Sequence, residues 1–263
     1  MRNVLITSVA AMFVAGSVSA ADLSGSVGVE VTENSAGDYV AETTLGFGVT
    51  ANTDVGVAFG GFTFESVDGG NLTVDEWQLG MSFGETAVSF GDQGDVFVGG
   101  RMEMVGESTL SLPNDEVDSV IVSHGAVAAM VGFDDVTTDI SDVSNVQLAY
   151  TTAIGTVDLI SAVDFNNNTD ETTLGVDATY AMASGVDLGA VMTYAVDAEA
   201  FGYEAYVDYK FATVFTNGTD DDAFENIGLG VAHSYSNLDV YAEAEYNIDD
   251  KDTVVGVGVS FNF

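Results

Sequence analysis

From residue 22 to the last residue, apolar and polar side chains take alternate places along the chain. A period of two predicts extended strands, because successive side chains on a strand point to opposite faces. The pattern is clearest at the end. Over residues 253–263, Val255, Val257, Val259, Phe261 and Phe263 share one face, and Gly256, Gly258, Ser260 and Asn262 share the other. The first strand reads the same way, with Leu23, Gly25, Val27, Val29 and Val31 opposed to Ser24, Ser26, Gly28, Glu30 and Thr32. Between these two lie alternating runs at 39–49, 55–64, 72–83, 88–91, 117–123, 126–133, 145–152, 157–165, 174–180, 186–194, 227–235 and 238–248. Short turns and longer polar loops separate them in turn. This is the rhythm of an up-and-down barrel whose two ends face different surroundings.

Taking residues 201–226 as one strand gives an odd total, fifteen, whereas a single-chain barrel with both termini on one side needs an even number. Two strands at 203–211 and 212–216, joined by a minimal turn, give sixteen; merging the pair around 123–126 gives fourteen. The expected fold is therefore all-β: a transmembrane antiparallel up-and-down barrel of sixteen strands, with fourteen as the alternative, forming one domain over residues 21–263. The rhythm breaks once. Residues 95–116 show no clear period two and hold the single Pro, Pro113, and an Arg, Arg101.

Alternation alone would also suit a soluble sandwich, so the solvent of each face is the informative question. The polar face carries Glu30, Glu42, Asp158, Asp164, Asp177, Asp187, Glu204, Asp208, Glu243 and Glu245 among Gly, Ser and Thr. The apolar face is expected to carry aromatics near strand ends: Tyr39, Phe59, Phe83, Phe133, Tyr150, Phe165, Tyr180, Tyr194, Tyr209, Tyr235, Tyr246 and Phe263. Two aromatic girdles around an apolar band would look like this.

Charge sharpens the picture. The 263 residues include 42 acidic and 4 basic ones, for a formal net charge of -38. A hydrophobic content of 47% is too high for a disordered acidic chain. So few cations cannot neutralise a phosphate backbone, which excludes nucleic acid as a partner. The absence of Cys excludes disulfide scaffolds and thiolate metal sites. Residues 1–20 read as a cleaved secretory signal, with Arg2, an apolar core over 4–18 and a small-residue cleavage site at Val18 and Ala20. That core is too short to span a membrane as a helix, which needs ~20 residues. Enzyme signatures are missing: no H-x-x-x-H, G-x-S-x-G or phosphate-binding Gly loop occurs. His124 reads as a turn residue, and His233 shares the phase of Ile227, Leu229 and Val231. No enzymatic activity and no cofactor are expected, although divalent cations could sit at the acidic loops.

The ending of the chain resembles the closing strand of bacterial outer-membrane barrels, in which a terminal Phe belongs to the signal read by the barrel assembly machinery; here that implies Phe261 and Phe263. The run F-G-D-Q-G-D-V-F over 90–97, followed by G-G-R-M-E-M-V-G-E-S-T-L-S-L-P-N-D-E, resembles the fifth strand and third loop of Gram-negative general-diffusion porins of the small alphaproteobacterial type. The start A-D-L-S-G-S-V, the strand rhythm and Phe263 extend that resemblance over residues 21–263. It implies a homotrimer of barrels in the outer membrane, each with its third loop folded into the pore. The constriction residues it implies are Arg101, Glu103, Glu107, Asp115 and Glu116, with Asp92 and Asp95 at the loop entrance. On the wall, the polar phase offers Glu42, Asp164, Asp177, Glu204, Asp208 and Glu243, with Lys210 as the one cation in that phase. Such porins set a basic cluster against the acidic loop, and this chain departs from them there.

The expected function is passive diffusion of small hydrophilic solutes and ions through a water-filled, cation-preferring channel among outer-membrane lipids. Two other classes fit the same pattern: a plugged structural or adhesive barrel, and a secreted acidic soluble β protein. Detergent dependence separates the last from the others, and conductance separates the first two.

Overall fold

The computed structural model describes residues 21–33, 39–93, 96–97, 118–133, 143–220 and 224–263. The predicted leader, Asp95 at the loop entrance and the loop residues Arg101, Glu103, Glu107, Asp115 and Glu116 lie outside the described residues.

Sixteen strands follow one another: β1 (Ala21–Glu33), β2 (Tyr39–Asn52), β3 (Val57–Val67), β4 (Thr73–Phe83), β5 (Thr86–Asp92), β6 (Asp118–His124), β7 (Val127–Phe133) and β8 (Val143–Ile154), then β9 (Val157–Asn166), β10 (Glu171–Ala181), β11 (Val186–Ala195), β12 (Ala200–Tyr209), β13 (Ala212–Thr219), β14 (Asn226–Tyr235), β15 (Leu238–Asn247) and β16 (Asp252–Asn262). Each pairs with its chain neighbours, and β16 pairs antiparallel with β1 to close a barrel. Sixteen, not fourteen, is the number, since β6 and β7 are separate strands and residues 201–226 supply both β12 and β13.

Connections after even-numbered strands have two or four residues, and those after odd-numbered strands have four or more, up to the 25 between β5 and β6. The two ends of the barrel therefore differ in kind. Bulges interrupt the pairing of β3 with β4 near Phe62 and of β7 with β8 near Phe133, adding local twist to a wall that must curve.

Residues paired across antiparallel strands share a face, so the register assigns every strand residue to the inside or the outside. The outer face is apolar: Leu23, Val27, Val29, Phe47, Leu148, Val176, Leu229, Val257 and Val259 are exposed there. Most of the predicted girdle aromatics join them, including Tyr39, Phe83, Tyr150, Phe165, Tyr180, Tyr194, Tyr209 and Tyr235. Phe59 does not. It pairs with Thr50 and Gly80, in phase with Gly48, Gly61 and Gln78, and faces inward.

Four inner aromatics rest on a glycine of the neighbouring strand: Phe59 on Gly80, Tyr206 on Gly189, Phe215 on Gly228 and Tyr241 on Gly258. A Cβ on Gly258 would lie 2.0 Å from the Tyr241 ring, and one on Gly228 would lie 1.9 Å from Phe215. The glycine removes a side chain so that the ring can lie flat against the wall, covering backbone that would otherwise be bare.

Candidate functional site: the barrel interior

The inner face collects the chain's charge. Period two places Glu30, Glu42, Glu65, Asp158, Asp164, Asp177, Asp187, Glu204, Asp208, Asp239, Glu243 and Glu245 inside. No strand among the described residues carries a Lys or Arg. The described cations are Lys251, between β15 and β16, and Lys210. Lys210 corrects the sequence reading: β12 stops at Tyr209, and Lys210 opens a two-residue turn at φ 59°. Its Nζ lies 4.9 Å from the centre of the Tyr209 ring. The predicted wall cation is thus a turn residue at the end of β12 that still borders the larger interior cavity.

One row crosses four strands of the wall. Tyr241 pairs with Gly258, Gly258 with Glu30, and Glu30 with Glu42. Because Gly258 has no side chain, the Tyr241 hydroxyl reaches over it and donates to Glu30 Oε2 at 3.1 Å, while Thr32 Oγ1 donates to Glu30 Oε1 at 3.0 Å. Glu30 and Glu42 are thereby held as directly opposed like charges. Asp187 and Asp208 form a second opposed pair, with Thr213 Oγ1 donating to Asp208 Oδ1 at 2.7 Å. Both pairs line a cavity of about 860 Å³, which also touches Tyr241, Glu243 and Lys210. A second cavity of about 620 Å³ lies mainly against β1–β4, with Ser24, Ser26, Thr63 and Gln78 in its lining beside Phe62 and Trp77.

Another part of the interior is filled. Phe97, just beyond β5, is wholly buried against Ala149, Ala162, Val191, Tyr206 and Phe215, the inner-face residues of β8, β9, β11, β12 and β13. Gly175 makes room for its ring, since a Cβ there would lie 2.8 Å from it. The Val96 amide donates to Gln147 Oε1 at 3.3 Å. Tyr206 is held in turn by a 2.7 Å hydrogen bond between its hydroxyl and Thr179 Oγ1.

The predicted wall residues therefore separate into groups. Glu42 and Asp208 are partly exposed and line the larger cavity; Glu243 lines it but is nearly covered, and Asp177 is partly buried on β10. Asp164 and Glu204 are buried, Asp164 Oδ1 accepting from Asn145 Nδ2 at 3.2 Å. Phe261 and Phe263 stack on the outer face with ring centres 6.4 Å apart. His124 ends β6, its Nδ1 2.8 Å from Thr86 Oγ1, and His233 lies on the outer face beside Tyr235. The inner aromatics Phe97, Tyr206, Phe215 and Tyr241 escaped the sequence reading. Tyr206 between Glu204 and Asp208, and Tyr241 between Asp239 and Glu243, had the phase that would have revealed them.

Solved structures share this architecture. A mutant of Rhodopseudomonas blastica porin superposes with a TM-score of 0.70 over 93% of this chain and 100% of that one, at 16% identity. A loop L8 deletion mutant of OmpT, an outer-membrane protein of Vibrio cholerae, gives 0.63 at 15% identity, covering 93% and 99%. In-vitro folded OmpT in its trimer form gives 0.56 at 15%, with the same coverage. The chain has the fold of these outer-membrane proteins. No protein-family model and no curated protein matches the sequence, so the likeness is one of fold.

Proposed function

We propose that this protein is a passive outer-membrane channel that admits small hydrophilic solutes and prefers cations. The observation that carries this reading is an inner wall with a dozen strand-borne carboxylates and no strand-borne cation among the described residues. At an effective dielectric near 20, a carboxylate about 6 Å from an ion contributes roughly 2–3 kcal/mol before screening and ion hydration reduce it. Screening at physiological salt extends ~8 Å, so charges on a narrow wall act on each ion that passes.

The apolar outer face fits lipid, and the differing ends fit two compartments. Export would use the leader at 1–20, and insertion would use the barrel assembly machinery, reading Phe261 and Phe263. A homotrimer is the assembly proposed, as the trimer form of OmpT is one of the folds it resembles. The burial of Phe97 supports a third loop that turns into the pore, which would bring Arg101, Glu103, Glu107, Asp115 and Glu116 to the constriction. No cofactor is proposed; divalent cations could bridge the acidic loops.

The test is a planar-bilayer recording of refolded protein in a KCl gradient. A reversal potential toward the cation equilibrium value, shrinking as salt rises, is expected. A closed barrel would sink the channel reading, and an anion-directed potential would sink its selectivity.

A further inference from the structure

We infer that the ion path runs off-centre, past the Phe97 patch and through the space bordered by β1, β2 and β11–β15, and that Glu30, Glu42, Asp187 and Asp208 set its selectivity whereas Asp164 and Glu204 do not. The inference rests on the channel reading above. Period two cannot distinguish these acids, because all six face inward. Phe97 distinguishes them.

The Phe97 ring closes an apolar patch built by Ala149, Ala162, Val191, Tyr206 and Phe215. Phe97 and Val191 are 0% exposed. The two acids set among these residues are sealed with them: Asp164, two residues from Ala162, is 0% exposed, and Glu204, register-paired with Val191, is 3% exposed. Neither of the two cavities described above touches Phe97, Val191, Asp164 or Glu204. The larger cavity reaches β11–β13 beyond the patch and is lined by Glu30, Glu42, Asp187 and Asp208, with the nearly covered Glu243 and with Lys210 beside them. An ion in that space meets these four carboxylates through water. Asp164 and Glu204 lie behind a packed aromatic layer, and their oxygens cannot join its hydration shell. Selectivity needs charges near the ion, since interaction falls with distance and screening.

Neutralising variants test this in the KCl gradient. Glu42→Gln with Asp208→Asn should lower the cation-to-anion permeability ratio by about three-fold or more, the size expected of screened charges roughly 8 Å from the ion. Asp164→Asn with Glu204→Gln should leave the ratio within the spread of the parent. The reverse ranking overturns the inference while leaving the channel intact; absence of conductance in the parent overturns the channel reading itself. Should a buried-site variant fail to fold, the Cys-free chain allows a second measurement with single thiols. Thr44→Cys, on the inner face of β2, should react with a cationic methanethiosulfonate reagent and reduce current. Val191→Cys should stay unreactive until Phe97→Ala is added. Equal reaction rates at 44 and 191 with Phe97 in place would show that the sector is open and the inference wrong.

Discussion

Phe263 joins the two ends of the chain at Gly25. Its amide donates to the Gly25 carbonyl and its carbonyl accepts from the Gly25 amide, both at 2.9 Å, and its ring lies where a Cβ on Gly25 would stand, 2.5 Å away. The last residue is thus part of the seam between β16 and β1. Deleting Phe263 removes both backbone hydrogen bonds and the ring, whereas Phe263→Ala removes the ring alone. At about 0.5–1.5 kcal/mol per hydrogen bond, the deletion should cost roughly 1–3 kcal/mol more than the alanine in detergent unfolding. Both should lower folded yield in cells beyond what stability accounts for, if the ring is also an assembly signal. Equal unfolding midpoints for the two variants would remove the seam from the explanation.

Charge placed on the two faces should have opposite fates. Val257→Arg puts a guanidinium on the exposed apolar face and should cost ~2–4 kcal/mol at mid-membrane depth. Thr44→Arg, facing inward between Gly28 and Glu65, should fold and carry less cation current. Heat-modifiable migration reports the first, and bilayer recording the second. Gly258 is not a mild inner site for such a charge, because any side chain there displaces Tyr241.

That displacement is itself testable. Tyr241→Phe keeps the ring on Gly258 and loses the hydrogen bond to Glu30, an expected loss of about 1 kcal/mol. Gly258→Val should cost more, since the ring must leave the wall. Denaturant unfolding of both variants would settle the order.

The opposed Glu30 and Glu42 make a prediction about salt. Like charges directly across a strand pair destabilise by about 0.2–1 kcal/mol, and screening relieves this as ionic strength rises. Glu42→Gln should therefore raise the unfolding midpoint at low salt and lose that advantage near 1 M. A constant difference across salt would point to packing instead of charge.

Much of this architecture can be read from the chain because every strand separates two media. Period two then assigns a face to each residue, which is why the inner acids Glu42, Asp177, Asp208 and Glu243 could be named in advance. The minimal turn expected between 203–211 and 212–216 is present, but it occupies Lys210 and Phe211, because Tyr-Lys-Phe-Ala lacks the Gly, Asn or Asp that would mark its centre. Phe59 was misplaced by its type, since an aromatic near a strand end reads as a girdle residue when its glycine partner, Gly80, is not known. The burial of Asp164 and Glu204 is beyond any local pattern: it accompanies the packing of Phe97 with Ala162 and Val191, residues far from it in the chain.

The four aromatics seated on glycines share one more property. Their strand pairs, β3 with β4, β11 with β12, β13 with β14 and β15 with β16, are the ones joined at the end with the longer connections. A short turn fixes the alignment of its two strands by itself, whereas a longer connection leaves them free to slip. A ring that fits only over a bare backbone position denies that slip. The frame therefore does not depend on the composition of the longer connections. Those connections can change in length and sequence while the alignment of the strands beneath them stays the same.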